Sequence, residues 1–188
     1  MSFRRSHISI SSQFKVVLCL ALVITVVELI NLFLGRSLNA LGLIPREVGG
    51  LIGVATAPFL HGSLMHYFSN IVPLCIFAFL LLQHGAVRFG LVSIVIISLS
   101  GILVWLFGRT AIHVGASGLI YGYFGYLLVA GWLSREIKLL AISLFVGVGY
   151  GSMIWGVLPS MPFVSWEYHL FGFLSGIFAA MRWGHAQE

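Results

Sequence analysis

The 188-residue chain contains no aspartate and only five glutamates, and charged residues make up just 8% of it. So little charge cannot cover the surface of a soluble fold, and no polar run is long enough to form a separate hydrophilic domain. Cysteine is scarce as well. Cys19 and Cys75 both fall inside apolar stretches, with no CxxC or other metal-spaced pair, which reads as ordinary packing rather than a disulfide or a metal site. The formal charge of +5 comes from basic residues scattered at the ends of apolar runs. Without clustering on one face they give no nucleic-acid footprint.

Hydrophobic residues make up 60% of the chain, and the mean hydropathy is +1.06. That is the composition of a polytopic membrane protein. Runs of about twenty mostly apolar residues predict six spans: Phe14 to Leu34, Leu64 to Gln83, Phe89 to Phe107, Ser117 to Leu133, Ile137 to Leu158 and Glu167 to Trp183. The expected fold is an all-α bundle over residues 14–183, between cytoplasmic tails 1–13 and 184–188. The first run follows Arg4, Arg5 and Lys15 as a secretory signal would, but it is too long and has no small-residue cleavage pattern before Gly35. A retained first span is expected. With the N-terminus inside, Arg4, Arg5, Lys15, Arg88, Arg135, Lys138 and Arg182 are cytoplasmic while Arg36, Arg46 and Arg109 are outside, as the positive-inside rule favours.

The connection from Gly35 to His61 is the only long one. Its stretch GLIPREVGGLIGVATAPFL reads as short amphipathic pieces broken at Pro45, Gly49, Gly50 and Pro58 and lying at the interface. It is either a plain connector or a brace that shields a site. The other loops are short, which favours antiparallel neighbours.

Two segments carry candidate chemistry. GASGLIYGYFG places Ser117 between Gly115 and Gly118 where a long apolar stretch begins, and SWEYHLFGFLSG places His169 near the start of the last one. A serine in a membrane helix is ordinarily a packing or hydrogen-bonding residue. Here Gly118 and Gly122 give it a small face, and Gly172 and Gly176 lie at i+3 and i+7 from His169 on a matching face. Packing of the two faces would bring the imidazole near enough to take the Ser117 proton, which an unassisted hydroxyl must lose before attacking a carbonyl. Both residues fall toward the non-cytoplasmic ends of their spans. Without aspartate a full triad is hard to supply, so the pattern points to a dyad. Glu167 projects from a different side of the helix than His169. Glu28, inside the first span, must be paired, protonated or near water, and reads as a structural hydrogen bond to a neighbouring helix.

A second cluster, HGSLMHYFSN, sets His66 and Asn70 four residues apart at the start of the second span. On one helical face both can donate to a single developing negative charge, as acyl transfer requires, with the Ser117 backbone N–H as a further donor. His61 orders the start of that helix. Zinc is a competing reading, although five-residue histidine spacing with no acidic or thiol ligand is a poor zinc pattern. A proton relay through His61, His66 and His169 is another, and it leaves the GASG turn unexplained. His113 reads as an interfacial loop residue, and His84 lies at the inner end of the second span, on the opposite side from this cluster.

Together these segments resemble the rhomboid family of intramembrane serine proteases. HGSLMHYFSN fits the family pattern H-x-x-x-x-H-x-x-x-N, GASG fits G-x-S-G, and HLFGFLSG fits H-x-x-G-x-x-x-G, in family order and on the expected helices. The resemblance covers nearly the whole chain and implies a six-helix core. By position it implies Ser117 as nucleophile, His169 as general base, His66 and Asn70 as oxyanion donors, and Tyr121 stacked beside the His169 ring. It also implies single-span membrane-protein substrates that enter sideways from the lipid bilayer, water access from outside, and no metal or cofactor. The compact plan suggests a bacterial inner membrane. One departure stands out: many relatives carry a Trp-Arg pair in the first loop, whereas no Trp here precedes Trp105, and the loop holds Ile44, Pro45 and Arg46. The fifth span and the loop Pro159 to Trp166, with Phe145, Trp155, Met161 and Phe163, are candidates for a gate and cap. A non-cutting rhomboid-fold binder and a proton-coupled transporter are the alternatives from other functional classes.

Overall fold

The computed structural model describes residues 8–159 and 163–185; Arg4, Arg5 and Met161 lie outside the described residues. Six long helices run in the expected order: α1 Ile10–Phe33, α2 Leu64–Leu82, α3 Ala86–Phe107, α4 Ser117–Ser134, α5 Ile137–Tyr150 and α6 Trp166–Trp183. A 3-10 turn, Gly151–Val157, extends α5. Among the described residues the only β pairing is an isolated bridge between Leu43 and His113. The architecture is therefore all-helical. By length and apolarity four stretches can cross a membrane: α1, α2, α3 and Ile137–Val157.

Local chemistry explains the helix ends. The Ser9 hydroxyl caps α1 by accepting from the Ser12 N–H at 3.2 Å, and the Ser63 hydroxyl caps α2 by accepting from the His66 N–H at 3.1 Å. Gly35 and Arg36 turn the chain back after α1 with φ of 59° and 65°. Pro73 sits inside α2, a position that membrane helices tolerate when neighbours satisfy the freed carbonyl.

Helix α4 forms the centre. Its residues from Ser117 through Leu127 are all buried, and it packs most extensively on α6. Gly172 and Gly176 make that crossing close: a Cβ on Gly172 would overlap the Gly118 carbonyl oxygen, and one on Gly176 the Gly122 carbonyl oxygen. Such backbone contact replaces the hydrophobic driving force that lipid cannot supply. At the periphery α1 is inverted. Phe14, Leu18, Leu22 and Leu29 are exposed, whereas its buried residues are Gln13, Ile24, Glu28 and Asn31.

The first loop is a brace. Its 3-10 and helical turns, Ser37–Leu41, Gly49–Ile52, Gly53–Thr56 and Ala57–Phe59, bury Leu43 completely. Arg46 donates to the Gly108 carbonyl at 2.7 Å, and the Trp105 indole N–H donates across to the Glu47 carbonyl at 2.8 Å. The tryptophan missing from the loop is thus supplied by α3.

Substituting Gly176→Val should lower the stability of the bundle by about 1–3 kcal/mol, read as an earlier thermal transition in detergent micelles. Gly90→Ala, at a position where an added Cβ meets nothing within 4 Å, should leave the transition in place.

Candidate active site

A cavity of about 870 Å³ opens between the N-terminal ends of α2, α4 and α6, and its wall includes His66, Asn70, Ser117, Tyr121 and His169. The two histidines and the serine come from three different helices.

Ser117 is the first residue of α4, directly after Ala116. Gly115 before it has φ of 123°, a left-handed conformation that a side chain resists. A Cβ there would also lie 2.6 Å from the His66 Nε2. Two independent constraints therefore require glycine. The Gly115 N–H donates to the Ala57 carbonyl at 2.9 Å, tying the turn to the first loop. Opening a helix at Ser117 leaves the first amide N–H groups without intrahelical partners, with the positive end of the helix dipole beside the cavity. Among the described residues the Ser117 Oγ takes no hydrogen bond, and Ser117, 8% exposed, lines the cavity.

His169 is held from both sides. Its Nδ1 lies 2.9 Å from the Gly156 carbonyl oxygen, and because a carbonyl only accepts, Nδ1 carries the ring proton and Nε2 keeps its lone pair. The Tyr121 ring stacks on the imidazole with centroids 4.1 Å apart and planes 7° from parallel. A backbone carbonyl thus does the tautomer-fixing that aspartate does in a triad. Gly156 has a second constraint: a Cβ would overlap the Tyr121 hydroxyl. Nothing in the sequence singled it out, since it is one of 22 glycines and belongs to no motif.

His66 carries the opposite tautomer. The Gly62 N–H lies 3.4 Å from its Nδ1 in a long hydrogen bond. An amide N–H only donates, so Nδ1 accepts and Nε2 bears the proton, beside the Gly115–Ser117 turn. Asn70 departs from the expectation of two free donors on one face. It is 4% exposed, and its Nδ2 donates back to the His66 carbonyl at 2.6 Å. One amide hydrogen is therefore committed to the helix backbone and one remains.

His61 is fully buried and stands behind the cavity wall, its ring edge-on to those of His66 at 5.2 Å and Tyr67 at 5.6 Å. Burial, followed by the nearby His66 and Arg36, lowers its pKa to about 3. The 3.9 Å approach of its Nδ1 to the Glu28 carboxylate is therefore a contact of a neutral ring and not an ion pair.

His113 lies in the loop before the Gly115 turn, as expected, and is only 2% exposed. Its Nε2 donates to the Arg109 carbonyl at 3.1 Å and its Nδ1 accepts from the Ser165 hydroxyl. Burial lowers its pKa, against the raising effect of the Arg109 carbonyl and Glu167. It is a strut joining the loop to the start of α6. Glu167 faces away from His169 and pairs with Arg109 at 3.5 Å. His84 is buried outside this cavity, edge-on to Tyr126 at 5.3 Å. Of the gate candidates, Phe163 lines the cavity, whereas Phe145 and Trp155 are exposed off its wall, and Tyr150 and Met153 take that place. Among the described residues no three His, Cys or Glu side chains gather as metal ligands would.

A family model described as the Rhomboid domain matches residues 48–185. The chain is 37% identical over 163 residues to an uncharacterized protein of Mycobacterium tuberculosis, covering 82% of this chain and 68% of that one. It is 34% identical to an uncharacterized Mycobacterium leprae protein, with 82% and 64% covered. It is also 32% identical to the RHOMBOID-like protein 6, mitochondrial, of Arabidopsis thaliana, over 64% of this chain and 40% of that protein.

Two outcomes follow from this geometry. Gly156→Ala should slow labelling of Ser117 by a fluorophosphonate on the order of tenfold to a hundredfold, and removal of the opposing hydroxyl in Gly156→Ala/Tyr121→Phe should restore part of the rate. The neutral, buried His61 makes folding pH-dependent. The unfolded chain takes up that proton below about pH 6.5, so the contribution is complete above that pH and is lost as pH falls toward 3. His61→Phe should flatten this part of the stability profile in thermal melts.

Proposed function

The chain belongs to the rhomboid family, and from that premise we propose that it is an intramembrane serine endopeptidase, with Ser117 as nucleophile and His169 as general base. The observation that carries this reading is the pairing of opposite imidazole tautomers around one serine: a bare Nε2 on His169 and a protonated Nε2 on His66. A base and an electrophilic donor are what acyl transfer needs on its two sides.

The steps follow from that arrangement. The Ser117 Oγ bonds to a substrate peptide carbon as its proton passes to the His169 Nε2. The carbonyl oxygen becomes an oxyanion and takes hydrogen bonds from the Ser117 N–H, the His66 Nε2–H and the free amide hydrogen of Asn70. Collapse breaks the C–N bond, and the imidazolium returns its proton to the departing amine. Water then attacks the acyl-serine, again giving a proton to His169, and Ser117 recovers its hydrogen as the acid leaves. Tyr121 and the Gly156 carbonyl keep the imidazole in plane throughout.

Substrates on this reading are single-span membrane proteins. A spanning helix hides its peptide carbonyls in its own hydrogen bonds, so the cut requires local unwinding near the membrane surface, and small or helix-weakening residues favour it. The cavity end is assigned to the non-cytoplasmic face, following the distribution of basic residues, in a bacterial inner membrane.

Cleavage of a single-span reporter in liposomes tests the proposal. Wild type should cut with chelator present, Ser117→Ala and His169→Ala should not, and His66→Ala should lose about 10²–10³ in kcat. Cleavage that persists in Ser117→Ala would contradict Ser117 as nucleophile, and wild-type inertness across a varied substrate panel would contradict the protease reading in favour of helix binding or transport.

A further inference from the structure

Glu28 and Arg36 lie before residue 48, where the family match begins, and no step above uses them. Glu28 is a carboxylate on the inner face of α1, 2% exposed. Arg36, turned back by its left-handed backbone, donates from one guanidinium nitrogen to the Glu28 Oε1 at 2.9 Å. Its other nitrogen donates to the His61 carbonyl at 2.5 Å. Asn39 adds a second donor to that carbonyl at 3.2 Å, and Asn39 is itself held by the Asn31 amide at 2.9 Å.

The His61 carbonyl and the Gly62 N–H belong to the same peptide unit, which is planar. Its oxygen receives Arg36 and Asn39, and its N–H is the group that meets the His66 Nδ1. Two donors on the oxygen fix the plane, so the N–H direction is fixed with it. A cation on the oxygen also draws electron density from the amide nitrogen and strengthens its N–H as a donor. Neutral His61 leaves Arg36 as the cation beside Glu28.

We propose that Glu28 and Arg36 are positioning residues for His66, acting through the His61–Gly62 peptide to hold the protonated His66 Nε2 toward the cavity. This rests on the reading of His66 as an oxyanion donor. Glu28 anchors the guanidinium, Arg36 orients and polarises the peptide, and the peptide sets the tautomer. The first helix thereby becomes part of the reaction machinery rather than a lipid-facing anchor.

The test uses the full chain in detergent micelles. Nitrogen NMR of ring-labelled histidine should show His66 with its proton on Nε2 in wild type and divided between the two nitrogens in Arg36→Gln. Arg36→Lys should retain most of the wild-type pattern. Removing one partner strands a buried carboxylate, so the double variant Glu28→Gln/Arg36→Gln, which removes both charges, guards against simple unfolding. In the reporter assay this double variant should lose about tenfold in kcat, a fraction of the cost of deleting an oxyanion donor, with KM unchanged. The same pair of changes placed on His66→Ala should cost nothing further. A His66 tautomer unchanged in the double variant, or an equal kcat loss with and without His66, overturns the proposal. If the wild type does not cut at all, the protease reading fails, and the NMR result still decides whether Arg36 sets the tautomer.

Discussion

The site depends on the fact that a backbone carbonyl can only accept a hydrogen bond and a backbone N–H can only donate one. The Gly156 carbonyl leaves His169 with a bare Nε2, and the Gly62 N–H leaves His66 with a protonated one. The same side chain thus takes two opposite tautomers in one cavity that no carboxylate lines among the described residues. For a site that must work inside lipid this has an energetic logic. A buried aspartate would need its own counter-charge, while a peptide group is neutral and already present.

Much of the remaining fold serves to hold those two peptide groups still. The 3-10 turn that carries Gly156 extends α5, and the Tyr121–His169 stack occupies the space where a Gly156 side chain would be. The contact of α6 with α4 through Gly172 and Gly176 places the imidazole level with the start of α4. The first loop holds the Gly115 turn through the Ala57 carbonyl and is itself pinned by Arg46 and Trp105 to the end of α3. The two buried carboxylates are paired, Glu28 with Arg36 and Glu167 with Arg109. Most of the interior is apolar or small.

The long helices were readable because runs of about twenty apolar residues leave few alternatives; five of the six expected spans lie within a few residues of the observed helices, whereas the fifth helix ends at Tyr150 and only a 3-10 turn carries it on to Val157. Ser117, His169, His66 and Asn70 could be singled out because they stand in spaced motifs of reactive side chains, and the structure lines one cavity with all four. What escaped the sequence is what has no side-chain signature. Gly156 meets His169 through its carbonyl and Tyr121 through lack of a Cβ, and the His61–Gly62 peptide meets Arg36, Asn39 and His66 through backbone atoms alone. Asn70 could not be seen to bond back to its own helix, because spacing gives the face and not the rotamer. The burial of His113 was equally out of reach, since burial of a loop depends on what folds over it. The brace formed by Trp105 links residues far apart in sequence, whereas motif reading looks for neighbours.

A peptidyl chloromethyl ketone tests the central claim most directly, because it reports both the nucleophile and the free ring nitrogen in one covalent product. Serine oxygen adds to its ketone carbon, and the base nitrogen displaces chloride from its methylene, so the product bridges the two residues. Peptide mapping by mass spectrometry should find His169 alkylated at Nε2, and carbon NMR of the intact adduct, labelled at the ketone carbon, should show the tetrahedral hemiketal made with Ser117. A bridge to His66, alkylation at the His169 Nδ1, or no adduct on Ser117 would contradict the account.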